Sequence, residues 1–195
     1  RSMAYGNGKY LLIEQSGKAW VSTDETNWVA EYGGLQNAFT QIIGGQSNLV
    51  AFGSGLPVLL SSDGLTFHAA SNSPSGVLSA GAFDGTNYVG IGATAQLGHP
   101  ITYIGEVYTS TNSTDWVRRT SNANQPLSAI CRGPSRWVAV GGNGTVTTSP
   151  NTLAWTLRSS GTGNNLDGVA FGNGTYVAVG NVGVVITSAD GTTWD

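Results

Sequence analysis

The side chains able to do chemistry are few: eleven Asp and Glu, eight Lys and Arg, two His and one Cys in 195 residues. Glycosidic cleavage would need two carboxylates facing one bond. Asp24, Asp63 and Asp190 each follow a serine by two positions in a turn-like stretch, which commits them to local backbone hydrogen bonds. Glu14, Glu25, Glu31, Asp84, Glu106, Asp115 and Asp167 have no evident mate. His68 and His99 lie far apart, and no His, Cys and acid share metal-ligand spacing. The Gly-Asn-Gly runs precede strand-like segments rather than a helix, so they read as hairpin turns and not as phosphate loops. Cys131 sits in the apolar run Leu-Ser-Ala-Ile-Cys with nothing beside it to stabilise a thiolate, and is expected to be a small buried hydrophobe. The expectation is a chain that is not an enzyme and uses neither cofactor nor metal. The one local group suited to a ligand is Gln96, His99, Tyr103 and Glu106, an aromatic face with hydrogen-bonding neighbours that fits a sugar or a peptide.

The elements that must position these residues repeat. Trp28, Phe67, Trp116, Trp155 and Trp194 are separated by 39, 49, 39 and 39 residues, and Tyr10, Leu49, Tyr88, Trp137 and Tyr176 by 39, 39, 49 and 39, the extra ten falling in the third unit both times. A period of this size marks a repeat architecture. Its units run about 1–38, 39–77, 78–126, 127–165 and 166–195 and form a single domain over 1–195. The ten additional residues of the third unit fall in the stretch 92–106, which contains the candidate ligand group, and loops that break a repeat are favoured places for function.

Within the fifth unit, Leu166–Phe171, Tyr176–Gly180 and Val184–Ser188 are short runs rich in Val, Ile and aromatics, bounded by Gly, Asn and Asp. That is the signature of strands joined by hairpins. With the polar segment after each aromatic, a unit supplies four antiparallel strands, the size of one propeller blade. The fold class is therefore all-β, a propeller of five four-stranded blades. The aligned positions Ala4, Ile43, Ala82, Cys131 and Ala170 are mostly small, as an innermost strand crowding the axis requires, and five units would make a compact ring with a narrow channel. Only Asp195 follows Trp194, so the last blade lacks its outer strand. A longer native propeller, or a strand donated by another chain, would complete it.

Aligned on the aromatic, the turns carry Ser22, Asp24 and Trp28; Ser61, Asp63 and Phe67; Ser110, Asn112 and Trp116; Ser149, Asn151 and Trp155; and Ser188, Asp190 and Trp194. This pattern resembles the Asp-box, or bacterial neuraminidase repeat, of sialidases, photosystem assembly factors, the sortilin ectodomain and many bacterial and phage surface proteins. The resemblance covers all five units. It implies that the motif joins the third and fourth strands at the blade periphery as a structural staple, away from any active site. Asn in place of Asp in units three and four, and Phe67 in place of Trp, are departures that suit a turn better than a catalyst. A sialidase would further need three converging arginines, whereas Arg118, Arg119 and Arg158 fall on outer strands and Arg132 and Arg136 flank one hairpin.

Only 10% of residues are charged and the net charge is −3, so no basic stripe exists to engage nucleic acid, and no apolar run is long enough to span a membrane. An uncharged surface rich in hydroxyls and amides suits a glycan or a protein surface. The leading expectation is a non-catalytic, extracellular or cell- or virion-surface binding module, lectin-like or adhesive. The alternatives are a structural or assembly-scaffold propeller binding protein partners, and a fragment of a sialidase-like hydrolase.

Overall fold

The computed structural model describes residues 2–14, 18–31, 39–53, 57–74, 76–98 and 100–195. Its strands form five antiparallel sheets, each a meander in chain order. The first contains β1 (Ser2–Gly6), β2 (Lys9–Ile13), β3 (Ala19–Ser22) and β4 (Val29–Glu31), and the second β5 (Phe39–Gly44), β6 (Leu49–Gly53), β7 (Leu59–Ser61) and β8 (His68–Ala69). The third contains β9 (Val77–Phe83), β10 (Tyr88–Gln96), β11 (Thr102–Ser110) and β12 (Val117–Arg119), and the fourth β13 (Leu127–Arg132), β14 (Trp137–Gly141), β15 (Val146–Ser149) and β16 (Thr156–Arg158). The fifth has three strands, β17 (Leu166–Gly172), β18 (Thr175–Gly180) and β19 (Val185–Ser188). The start of a fourth strand is laid, because Asp195 and Thr187 exchange backbone hydrogen bonds of 2.8 and 3.0 Å.

Local chemistry explains the meanders. Asn7-Gly8 joins β1 to β2 and Asn173-Gly174 joins β17 to β18, with φ of 51° and 73° and of 48° and 79°. Two consecutive positive φ angles are what a two-residue type I′ hairpin demands, and Asn-Gly supplies them at least steric cost. In four of the five blades the first pair of strands ends in a contact with an aromatic ring. Tyr5 lies on Tyr10, Phe83 on Tyr88 and Phe171 on Tyr176, with ring centroids 4.5, 4.2 and 4.6 Å apart, and the Arg132 guanidinium lies 5.7 Å from the Trp137 ring at the same position.

The inner strands pack side by side in the series β1, β5, β9, β13 and β17. Hydroxyls lock them, since Thr40 Oγ1 donates to the Ser79 carbonyl at 2.5 Å and Ser79 Oγ to the Leu127 carbonyl at 3.2 Å. Further out, the second aromatic of one blade reaches the hairpin of the preceding blade. The Tyr88 hydroxyl accepts from the Gln46 N–H at 2.9 Å, and the Tyr176 hydroxyl donates to the Arg136 carbonyl at 3.1 Å. Close approach is enforced at Gly133, where a Cβ would lie 2.1 Å from the Tyr176 hydroxyl oxygen.

Among the described residues, the close packing of successive inner strands is not repeated between β17 and β1, so the five blades form an open arc rather than the compact ring expected from the sequence. The side-chain environments agree. The equivalent residues Ile13 and Ala19, Phe52 and Val58, Ile91 and Val107, and Val140 and Val146 are all at most 4% exposed, each set covered by the following blade. Their fifth-blade equivalents, Val179 and Val185, are 44% and 60% exposed. At the other end Met3 and Tyr5 of β1 are exposed. Since burial and not sequence distinguishes Val140 from Val179, Val140→Ala should cost about 2 kcal/mol and Val179→Ala less than about 0.5 kcal/mol. Urea unfolding of the two variants measures this, and equal losses would contradict the open arc.

Candidate functional site

The five Ser-x-Asp/Asn turns cap the outer end of the third strand in each sheet. Ser22, Ser61, Ser110, Ser149 and Ser188 each donate to the Oδ1 of Asp24, Asp63, Asn112, Asn151 and Asp190, at 2.9 to 3.5 Å. Each of those oxygens accepts two backbone N–H groups, from Thr26 and Asn27, Leu65 and Thr66, Thr114 and Asp115, Leu153 and Ala154, and Thr192 and Thr193. The Trp28, Trp116 and Trp155 indoles donate back to the carbonyls of Glu25, Ser113 and Thr152 at 3.0, 2.8 and 3.1 Å. Phe67 has no such donor, and the buried Trp194 N–H finds no acceptor.

These hydrogen bonds stabilise charge. Asp24 is held well below the usual carboxylate range by the Asn27 backbone N–H, the Asn27 amide and the Thr26 N–H. Asp63 is held there by the Thr66 hydroxyl and the N–H groups of Thr66 and Leu65, and Asp190 by the Thr192 hydroxyl and the N–H groups of Thr193 and Thr192. A carboxylate so satisfied is a poor base, and each lies within its own turn with no second carboxylate bonded to it. The turns also receive the preceding blade, since Asn7 Nδ2 donates to the Ser62 carbonyl at 2.7 Å, Lys9 Nζ to the Asp63 carbonyl at 3.2 Å and Asn48 Nδ2 to Ser113 Oγ at 3.3 Å.

Cys131 is half-buried and its thiol is pushed up to about 12 by burial, which leaves it protonated and unreactive at neutral pH.

The additional residues of the third unit lengthen β10 and β11, which stay paired from Tyr88↔Ser110 to Gln96↔Thr102. Strand alternation splits the expected ligand group. Gln96 and Glu106 share one side of the hairpin with Thr94, while Tyr103, paired with Ala95, lies on the other. His99 lies outside the described residues. Glu106 is 1% exposed, and Arg118 holds its carboxylate through Nε at 2.6 Å and Nη2 at 2.5 Å. The pair pins β12 to the base of the hairpin. The solvent-facing part of the hairpin exposes large apolar side chains beside Gln96 and Thr102: Leu97, Ile101 and Tyr103 are 95%, 58% and 53% exposed.

The hairpin rises from the rim of a cavity of about 670 Å³ at the inner edge of the arc. Thr40 and Gln41 of β5, Val77, Ser79 and Ala80 of β9, Gly92 and Ala93 of β10, Leu127 to Ile130 of β13, and Gly168 and Val169 of β17 line it together with Pro126. No charged side chain is among these lining residues. Gln41 Oε1 accepts the Gly81 N–H at 2.7 Å, which orients the amide at the wall. The volume lies within the range of small-ligand and peptide pockets. The hydroxyls at Thr40, Ser79 and Ser128 were not singled out in the sequence. They follow the same intervals of 39 and 49 residues as the aromatics, three positions before the small residues assigned to the axis, and that spacing was the signal for them.

No family model and no curated protein matches the sequence, so the Asp-box resemblance rests on the turn residues alone. The fold is similar to that of YCF48 from Cyanidioschyzon merolae, with a TM-score of 0.69 at 15% identity over 100% of this chain and 70% of that one. A structure of YCF48 bound to D1 peptide gives 0.68 at 18% identity, covering 99% of this chain and 64% of that one. The WD40 β-propeller domain of Doa1 gives 0.68 at 9% identity over 97% of this chain. The likeness shows the fold, a β-propeller, and the chain spans 64% of the length of each of the last two structures.

Ser61, 2% exposed, accepts the Gly64 N–H at 2.8 Å. Ser61→Ala leaves that N–H unpaired and should cost about 1 to 2 kcal/mol, lowering Tm by about 4 °C, while the exposed Ser62→Ala should leave it unchanged. The depressed carboxylates add a pH dependence. Their stabilisation is fully present above the unfolded value of about 4 and is lost as pH falls through the lower native values. Thermal melts between pH 5 and 2 should therefore show stability falling below about pH 4, with a shallower fall in Asp63→Asn, which copies Asn112 and Asn151.

Proposed function

We propose that this chain is a non-catalytic propeller that holds a protein partner at the axial cavity and the hairpin beside it. The observation that carries the reading is an uncharged cavity partly walled by Gly92 and Ala93 of β10, on the same hairpin that exposes Leu97 and Ile101 beyond the strand ends and Tyr103 on β11. Monomeric surfaces rarely present such side chains beside a concave site unless something docks there. An extended segment can lay two or three small side chains into the cavity while its flank packs on the hairpin. A solved YCF48 structure holds a D1 peptide on the same fold, and that supports the scaffold reading over the lectin-like one. The stapled turns, with their carboxylates spent on backbone N–H groups, keep the blades in place and contribute no contact to the partner.

Selection of displayed random peptides on the immobilised protein tests this. Selected peptides should lose at least about tenfold in affinity on Ser128→Trp, which fills the cavity, and on Ile101→Asp, which places a charge on the hairpin. Both positions are exposed, so thermal melts should be little changed. Peptides insensitive to both changes, or a glycan-array signal competed by free sugar, would contradict the reading.

A further inference from the structure

Thr40, Ser79 and Ser128 occupy one repeat position on successive inner strands at the cavity wall, and on β17 that position is Asp167. The first two hydroxyls are spent on the next inner strand. Asp167 is exposed, and among the described residues no hydrogen bond or ion pair engages its carboxylate, the two ion pairs being Glu106 with Arg118 and Asp84 with Arg132. Asp167 adjoins Gly168 and Val169, which line the cavity, so its uncompensated charge stands next to walls that carry none. The walls discourage any charge placed deep in the cavity, where it would be desolvated without a partner.

We infer that the segment bound at the axial mouth has an uncharged, small-residue body and one ammonium or guanidinium group, which meets Asp167 at the rim. The inference rests on the proposed partner-binding role of the cavity and names the chemistry of what it takes. The neutral residues enter between β5, β9 and β13, and the cationic residue stays at the β17 side, where water still reaches it. Selectivity then arises from one attractive contact at the rim and from the lack of any cation on the walls that could receive an acidic residue. A partner with an acidic residue at the same place meets repulsion from Asp167.

Capped pentapeptides of sequence Ser-Val-Xaa-Val-Ser, with Xaa as Lys, Gln or Glu, are titrated into the ¹⁵N-labelled protein, and the amide shifts of Ser79, Ser128 and Gly168 are followed. The Lys peptide should bind about two- to fivefold more tightly than the Gln peptide at low salt, the Glu peptide more weakly still, and the preference should shrink in about 0.5 M salt. Asp167→Asn should bring the Lys peptide to the affinity of the Gln peptide and leave the Gln peptide unchanged. Equal binding of all three peptides, or a Lys preference that survives Asp167→Asn, overturns the inference while leaving the partner-binding role intact. If none of the three shifts the cavity amides, both fall.

Discussion

Every sheet in this chain is apolar on both faces, and a sheet of that kind is stable only when another covers each side. The central blades meet the requirement with one another. Phe52 of the second blade, for example, meets Trp116 of the third edge to face, with centroids 5.8 Å apart. Among the described residues, four clusters of buried side chains each join a blade to its successor, and no single core runs through the arc. Stability is therefore close to a sum of blade and nearest-neighbour terms, as in other repeat proteins. The end blades each have one neighbour, and their outward faces show it at Met3, Tyr5, Val179 and Val185.

The turns and the inner strands serve this stacking in different ways. Each Ser-x-Asp/Asn turn satisfies its own backbone, and those of the second and third blades receive a side chain from the preceding blade, which ties the periphery to the neighbouring sheet. Along the axis, hydroxyl-to-carbonyl bonds set the spacing of the inner strands. The cavity is what remains between their first residues, and the Glu106–Arg118 pair holds the base of the hairpin at its rim. The candidate site thus derives its shape from groups whose main role is structural.

Much of the fold was legible in the intervals between aromatics, because a blade is encoded locally by hairpin turns, alternating apolar runs and one packed aromatic. The open arc was not. Val140 and Val179 sit in near-identical local sequence, and only the presence of a following blade separates them. The insertion was legible as a hairpin. Its expected ligand group was split by strand alternation, which places Tyr103 on the face away from Gln96, and by Arg118, which reaches Glu106 from β12 across a pairing that spacing alone does not reveal. The axial hydroxyls were hidden for another reason: Ser and Thr are common throughout this chain, and their significance lies in the repeat position rather than in their type.

Residue-resolved amide hydrogen exchange tests most directly whether neighbouring blades are what stabilise each sheet. If they are, exchange is slowest in β10, β11, β14 and β15, which are covered on both faces, and faster in β18 and β19 despite their matching sequence pattern. Equal protection of β14 and β18 would contradict that dependence.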